Sequence, residues 1–260
     1  MTSSNYIFIY NGQGSNLTCV EQTTQNLKKK YGKNYAVIEV DSSYLAREGQ
    51  PSLYVLPGGK TSVMGNELEK AAQKIIDCVR KGSGMLAFCA GAMVASSHWK
   101  YTIPSEDEPY YVGFDKSNPR HRLNLGPTAH GPAFFDNKYQ LEDYLKDTVA
   151  CLADIYLPSE NETFKCFWNQ GPVLSQELDD DVLLLAQYVS PTNPQVKKIR
   201  QAAAVIHSSY QYGNLVFLGV HPELAQWSQN RGYPISERDL EWNDYLFEKS
   251  CRLSGLEHPE

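Results

Sequence analysis

Four short apolar runs, each closed by a turn signal, constrain the fold of this chain more than any other feature. Ile7, Phe8, Ile9 and Tyr10 run into Asn11-Gly12-Gln13-Gly14, and Ala36, Val37, Ile38 and Val40 form a second run. Leu53 to Leu56 is stopped by Pro57-Gly58-Gly59, and Met85 to Phe88 by Cys89. Runs of this length without polar alternation read as strands buried on both faces. Between them, Val20, Leu27 and Tyr31 mark a weakly amphipathic helix stopped at Gly32. Met64, Leu68, Ala71, Ala72, Ile75, Ile76 and Val79 recur at helical spacing before Gly82. Small residues from Ala90 towards Trp99 predict one more helix. Strands alternating with helices require parallel pairing through right-handed crossovers, so an α/β fold with a mostly parallel central sheet flanked by helices is expected.

From Tyr101 to about Phe164 the pattern weakens as Pro, Gly, Tyr and Asn accumulate, and an irregular insertion at about 101–164 is expected, with a helix near Leu141 to Leu152. Val182 to Val189, Ala202 to Ser208 and Leu215 to Val220 read as strands of an antiparallel extension, with Tyr212-Gly213-Asn214 as the tight turn between the last two. Leu240 to Leu253 is the expected closing helix. A chain of 260 residues fits one large core, and residues 1–260 are read as a single domain.

A net charge of -6, without a basic block, gives nothing to neutralise phosphates, so nucleic acid is not an expected partner. Met1 to Asn5 lacks a signal-peptide pattern and no apolar stretch approaches the ~18 residues of a membrane span. No membrane partner and a cytoplasmic location are therefore expected. Cys19, Cys78, Cys89, Cys151, Cys166 and Cys251 show no close spacing of the zinc-site kind. Reduced core cysteines, with no metal and no cofactor, are the expectation.

Cys89 stands between an apolar strand and a small-residue helix, a nucleophile elbow whose flanks, Ala87 and Gly91, must be small for strand and helix to approach. A helix amino terminus favours the reactive thiolate. His221-Pro222-Glu223 follows an apolar strand, at the end where open α/β sheets assemble their sites. Such a histidine can take the thiol proton while the carboxylate holds its tautomer. The N–H groups of Gly58 and Gly59, with that of Ala90, can form an oxyanion hole; an ordinary strand-to-helix turn is the other reading. Asn11, Gly12, Asn169 and Gly171 follow predicted strands and could line a pocket or simply serve turns. His130 is placed in a loop, His207 in a core strand, and the acidic run Glu177 to Asp181 in a solvated turn.

The ordered set Pro57-Gly58-Gly59, the Cys89 elbow and His221-Pro222-Glu223 resembles the class I glutamine amidotransferase-like superfamily, which has a flavodoxin-like sheet. The resemblance implies that Cys89, His221 and Glu223 are nucleophile, base and orienting acid. Tyr10-Asn11-Gly12, Phe88 to Ala92, Leu123 to Pro132 and Phe167 to Pro172 resemble more closely the amino-terminal domain of eukaryotic-type biotin-protein ligases, nearly end to end. The Gly-Arg-Gly-Arg and Lys-Trp-Pro-Asn signatures of the ligase catalytic domain are not found, so no biotinylation is expected of this chain. Glutamine-using relatives commonly place a substrate-holding glutamine four residues past the nucleophile; here the position is Met93.

The leading expectation is a cysteine-dependent amidase or hydrolase acting by acyl transfer on a small-molecule or peptide-like amide. A binding or regulatory module contacting a metabolite or a protein partner, and a glutaminase subunit of a synthetase, are the alternatives.

Overall fold

The structure, a computed structural model, describes residues 5–104, 109–113, 123, 125–131, 150–174, 182–189 and 203–257. Its first half alternates as the apolar runs require: β1 (Tyr6–Tyr10), α1 (Leu17–Tyr31), β2 (Ala36–Val40), α2 (Ser42–Arg47), β3 (Leu53–Leu56), α3 (Thr61–Leu68), α4 (Ala72–Arg80), β4 (Gly84–Phe88) and α5 (Ala90–Ala95). β5 (Ser96–Pro104), β6 (Pro109–Gly113), β7 (Gly126–Gly131), β8 (Ala150–Leu157), β9 (Glu162–Asn169), β10 (Val173–Leu174) and β11 (Leu183–Tyr188) follow. β12 (Ala203–Tyr210), β13 (Gly213–Leu218), α6 (Ala225–Asn230) and α7 (Glu237–Leu253) complete the described chain.

The strands share one sheet, whose main path runs β2-β1-β3-β4-β13-β12-β10-β7-β5-β6, while β11 and β8 lead off β12 to β9. β2, β1, β3, β4 and β13 pair in parallel. β12 then turns the sheet antiparallel through its full register with β13, Tyr210↔Gly213 to Val205↔Leu218. The fold is therefore α/β with a mostly parallel centre and an antiparallel extension.

Two apolar layers cover this sheet. Ile7 and Ile9 of β1 pack with Val20 and Leu27 of α1 and Leu246 and Phe247 of α7. Phe8 and Tyr10, pointing the other way, pack with Met64 and Leu68 of α3 and Ile75 and Val79 of α4. Successive strand side chains alternate faces, so coverage of both faces produces the unbroken apolar runs. Among the described residues no helix is long and apolar enough to cross a membrane.

Several boundaries differ from the sequence reading. The helix expected to reach Trp99 stops at Ala95, where extended Ser96 turns its hydroxyl back onto the Met93 carbonyl at 2.7 Å. The β-branched and aromatic residues beyond then form β5. The long helix predicted across Met64 to Val79 is split by a 3-10 turn at Glu69–Ala71, although its apolar positions still face one layer. The region expected to be an irregular insertion contains strands β5 to β8 and the start of β9. Leu152, expected to be helical, lies in β8, paired antiparallel with β9; residues 141–149 lie outside the described residues. Cys151, Ala153, Ile155 and Leu157 enter the main core while Leu152 packs into a third cluster, and burial on both faces hides the strand period. The β12–β13 loop is Gln211-Tyr212, one residue earlier than expected; Gln211 takes the positive φ of 56° and Gly213 already pairs with Tyr210. α2 was not anticipated; the Asp41 side chain caps it by accepting from the Tyr44 N–H.

His130 lies in β7 rather than in a loop. His207 is in β12, half-buried, with Nε2 3.4 Å from Asn214 Oδ1. The run from Glu177 to Asp181 lies outside the described residues. All six cysteines are free and buried.

Candidate active site

β3, β4 and β13 are parallel neighbours, so their carboxyl ends open on the same side of the sheet, the side on which open α/β folds hold ligands. Each end delivers one part of the site. Gly58 follows β3, Cys89 follows β4, and His221 follows β13.

Cys89 is the turn between β4 and α5. Its φ of 47° and ψ of -108° lie in a region that non-glycine residues occupy at a cost, and its N–H is held by the Leu218 carbonyl at 2.7 Å. Gly91 is required where α5 crosses β3, since a Cβ there would stand 2.2 Å from the Leu56 carbonyl oxygen. The Cys89 thiol donates to the Asn169 carbonyl at 3.4 Å, which ties the elbow to the end of β9.

His221 is 2% exposed, and its backbone N–H donates to the Phe167 carbonyl at 2.9 Å. Nδ1 lies 2.7 Å from Glu223 Oε1, which is itself buried. Burial, the largest influence, lowers the imidazole pKa, yet the Glu223 carboxylate and contacts with Cys19 and Cys89 together hold it well above the usual histidine value. The carboxylate takes Nδ1, and the ring also contacts Cys89. Phe167 lies beside the ring at a centroid distance of 6.0 Å and packs in turn on Trp227 and Tyr233, giving the pair an aromatic wall.

Gly58 belongs to the same cluster. A Cβ at this buried position would stand 2.6 Å from His221 Cε1 and 3.1 Å from Cys19 Sγ, so the ring seats against bare backbone. Gly59 is exposed and bridges to Ser15. Ala90 opens α5, where first-turn N–H groups have no intrahelical acceptor.

The other expected pocket residues separate into two groups. The Asn169 carbonyl meets Cys89, and Gly171 accepts from Trp168 Nε1 at 3.1 Å in the loop that follows. Asn11 instead reaches β2, its amide donating to Glu39 Oε2 at 2.9 Å, and the Gly12 carbonyl accepts from the Ser15 hydroxyl at 2.7 Å. Met93 is packed in the core, its sulfur accepting from the Thr61 hydroxyl at 3.4 Å.

Sequence reasoning missed Cys19. Asn16 caps α1 through its side chain, accepting from the Cys19 N–H, while the Asn16 N–H donates to the Gly58 carbonyl at 2.9 Å. That link swings the first turn of α1 against the Pro-Gly-Gly loop and brings Cys19 Sγ to 4.0 Å from His221 Nδ1. Burial foremost pushes the Cys19 thiol pKa up, against the lowering influence of His221. The Asn16 cap places Cys19 in a first turn, but its meeting with His221 across 202 positions leaves no trace in spacing.

Fold and site together define an α/β protein with a buried Cys, His and Glu cluster at the carboxyl edge of its parallel strands. The chain belongs to the biotin-protein ligase N-terminal family, which it matches over residues 5–246. It is 30% identical over 260 residues to the biotin–protein ligase of Schizosaccharomyces pombe (strain 972), covering 98% of this chain and 38% of that protein. The chain thus spans under two fifths of that relative's length. Among solved structures, a β-galactosidase from Bacillus circulans sp. alkalophilus shares 10% identity at a TM-score of 0.49, over 98% of this chain and 32% of that one. A ThuA-like protein from Parabacteroides merdae shares 11% at a TM-score of 0.45, over 84% and 79%. Both likenesses are loose.

Proposed function

We propose that this chain is a class I glutamine amidotransferase-like acyl-transfer module that cleaves an amide of a small molecule or peptide-like substrate through Cys89. The observation that carries the reading is the buried His221–Glu223 pair, 2.7 Å apart, on the strand next to the one ending in the strained Cys89 elbow. In this mechanism the Cys89 thiol gives its proton to His221 Nε2 and the sulfur attacks the substrate carbonyl carbon. The Gly59 and Ala90 N–H groups, with Gly58 shaping the loop, donate to the developing oxyanion. The imidazolium returns the proton to the departing nitrogen as the C–N bond breaks, leaving a thioester. Water then attacks the thioester with His221 again as base, releasing the acid and the thiol. Glu223 holds Nδ1–H throughout and stabilises the imidazolium. Asn169 and Gly171 border the nucleophile; Asn11, Gly12 and Met93 act at a distance, through the loops and core that hold it.

Incubation with a panel of amides, glutamine and peptide amides included, should release amine or ammonia, and Cys89→Ala should abolish the release. Ammonia from glutamine alone would assign the glutaminase subunit instead. Alkylation of Cys89 by iodoacetamide at neutral pH no faster than in the denatured chain would remove the acyl-transfer reading.

A further inference from the structure

Cys19 has no part in that hydrolytic chemistry, yet it shares a cluster with two residues that do. Cys19 Sγ, a His221 ring nitrogen and a Glu223 carboxylate oxygen all lie within 4.8 Å of one another, and all three residues are buried. Thiolate, imidazole and carboxylate are the donor set that zinc and its cobalt substitute prefer. Around a tetrahedral ion with bonds of about 2.0 to 2.3 Å, neighbouring donors stand roughly 3.5 Å apart. The sulfur is 4.0 Å and the carboxylate oxygen 2.7 Å from Nδ1, and no two of the three donors are more than 4.8 Å apart, so shifts of about 1 Å let them share an ion. A second observation points to a missing ligand. Glu223 Oε2 is buried and has no hydrogen-bond partner among the described residues, a costly state for a carboxylate oxygen that a cation would relieve.

We propose that Cys19, His221 and Glu223 form a buried site for a zinc-class divalent ion, and that its occupancy silences the Cys89 centre. The inhibitory half rests on the acyl-transfer reading; the site itself does not. Binding displaces the Cys19 thiol proton to solvent and moves the ring proton from Nδ1 to Nε2, while the carboxylate contributes an oxygen lone pair. The metal then occupies the Nδ1 lone pair and the remaining ring proton sits on Nε2. With Nε2 protonated and the metal on Nδ1, the ring cannot accept the Cys89 proton. Cys19 is thus a regulatory ligand on the far side of the base from the nucleophile.

The test uses the full chain titrated with cobalt(II) chloride alone, followed by the near-ultraviolet sulfur-to-cobalt charge-transfer absorption. One equivalent should produce the band in the wild type and in Cys89→Ala, and the band should vanish in Cys19→Ser and Cys19→Ala. Helix content and melting temperature of the two Cys19 variants confirm that they fold. His221→Gln should weaken binding at least tenfold. Absence of the band in the wild type, or a band that survives in Cys19→Ser and vanishes in Cys89→Ala, overturns the site. Zinc should slow iodoacetamide alkylation of Cys89 tenfold or more in the wild type and leave Cys19→Ser unaffected; equal rates with and without zinc in the wild type overturn the inhibition. A Cys89 that is inert in metal-free protein overturns the acyl-transfer reading, and the cobalt band still decides the site.

Discussion

His221 and Glu223, with only Pro222 between them, meet through an Nδ1–Oε1 contact of 2.7 Å while both side chains are withdrawn from solvent. Residues two apart do not face each other on an α-helix. Here the chain leaves β13 through His221, at φ -122° and ψ 71°, and tightens into a 3-10 turn at Pro222–Leu224. Proline fits the first turn because it has no N–H to satisfy. The Glu223 carbonyl then receives the Asn26 amide of α1 at 3.2 Å, which fixes the turn against the helix that carries Cys19.

The pair stabilises the imidazolium that His221 becomes when it takes a proton. In Glu223→Gln the opposing influence of burial dominates, and the imidazole titration followed by NMR should move down from its wild-type position. A raised folded-state pKa adds stability that is fully present below the unfolded value of about 6.5 and is lost as pH rises through the folded value. The melting-temperature gap between wild type and Glu223→Gln should therefore be widest at mildly acidic pH and narrow in the alkaline range. An unmoved titration would rule out the carboxylate as its cause.

Cys89 should owe its reactivity to His221. His221→Gln is expected to slow iodoacetamide labelling at neutral pH by at least about tenfold, since the thiol loses the base that takes its proton. Intact-mass spectrometry of native protein should show a single adduct, because the other five cysteines are buried and burial foremost pushes the thiols of Cys19, Cys151, Cys166 and Cys251 up. Multiple adducts in folded protein would contradict this.

Gly58→Ala should act on chemistry more than on the fold. The added Cβ, 2.6 Å from His221 Cε1, must push the ring away, and a shift near 1 Å costs on the order of 100-fold in rate. Turnover and labelling rates measured beside circular dichroism would show the effect; unchanged rates would place the ring elsewhere.

Gly91→Ala should act on the fold itself. With a methyl 2.2 Å from a β3 carbonyl, the α5 contact is overpacked, at about 1–3 kcal/mol. Each kcal/mol corresponds to a fall of roughly 2–4 °C in melting temperature for a domain of this size. Gly49→Ala, whose Cβ meets nothing within 4 Å, is the control and should melt close to wild type.

Glu160 offers an acid-side test far from the site. Burial raises its pKa, but hydrogen bonds from Lys249, at 2.6 Å, and from Ser159 and Tyr245 outweigh it and hold the carboxyl at about 2. A depressed folded pKa contributes stability above the unfolded value near 4.3 that is lost as pH falls towards 2. Thermal melts of Glu160→Gln should differ from wild type at pH 7 and converge only as pH falls to about 2.

Contiguous residues sufficed for the parallel half of the molecule. The runs at Ile7 to Tyr10, Leu53 to Leu56 and Met85 to Phe88 became β1, β3 and β4 because burial on both faces leaves no room for polar alternation. The same signals put Cys89, Gly58 and His221 at strand ends, and the carboxyl edge of a parallel sheet is shared, so their proximity followed from topology. The strands of residues 96–169 were not legible. In β8 the buried Leu152 interrupts the alternation of Cys151, Ala153, Ile155 and Leu157, and a second partner lies well along the chain, as Gln187 paired with Tyr156 shows.

Local order in the parallel half, then, was written in the chain: which segments are strands, where they stop, and that Cys89 and His221 stand just past those stops. The arrival of Cys19 beside His221 was decided only by the tertiary fold. It depends on the Asn16 cap bonding to the Gly58 carbonyl and on the sheet order that sets β13 beside β4. Periodicity reports what a residue's neighbours in sequence require; a contact spanning 202 positions is fixed by how the elements pack, and no short window encodes it.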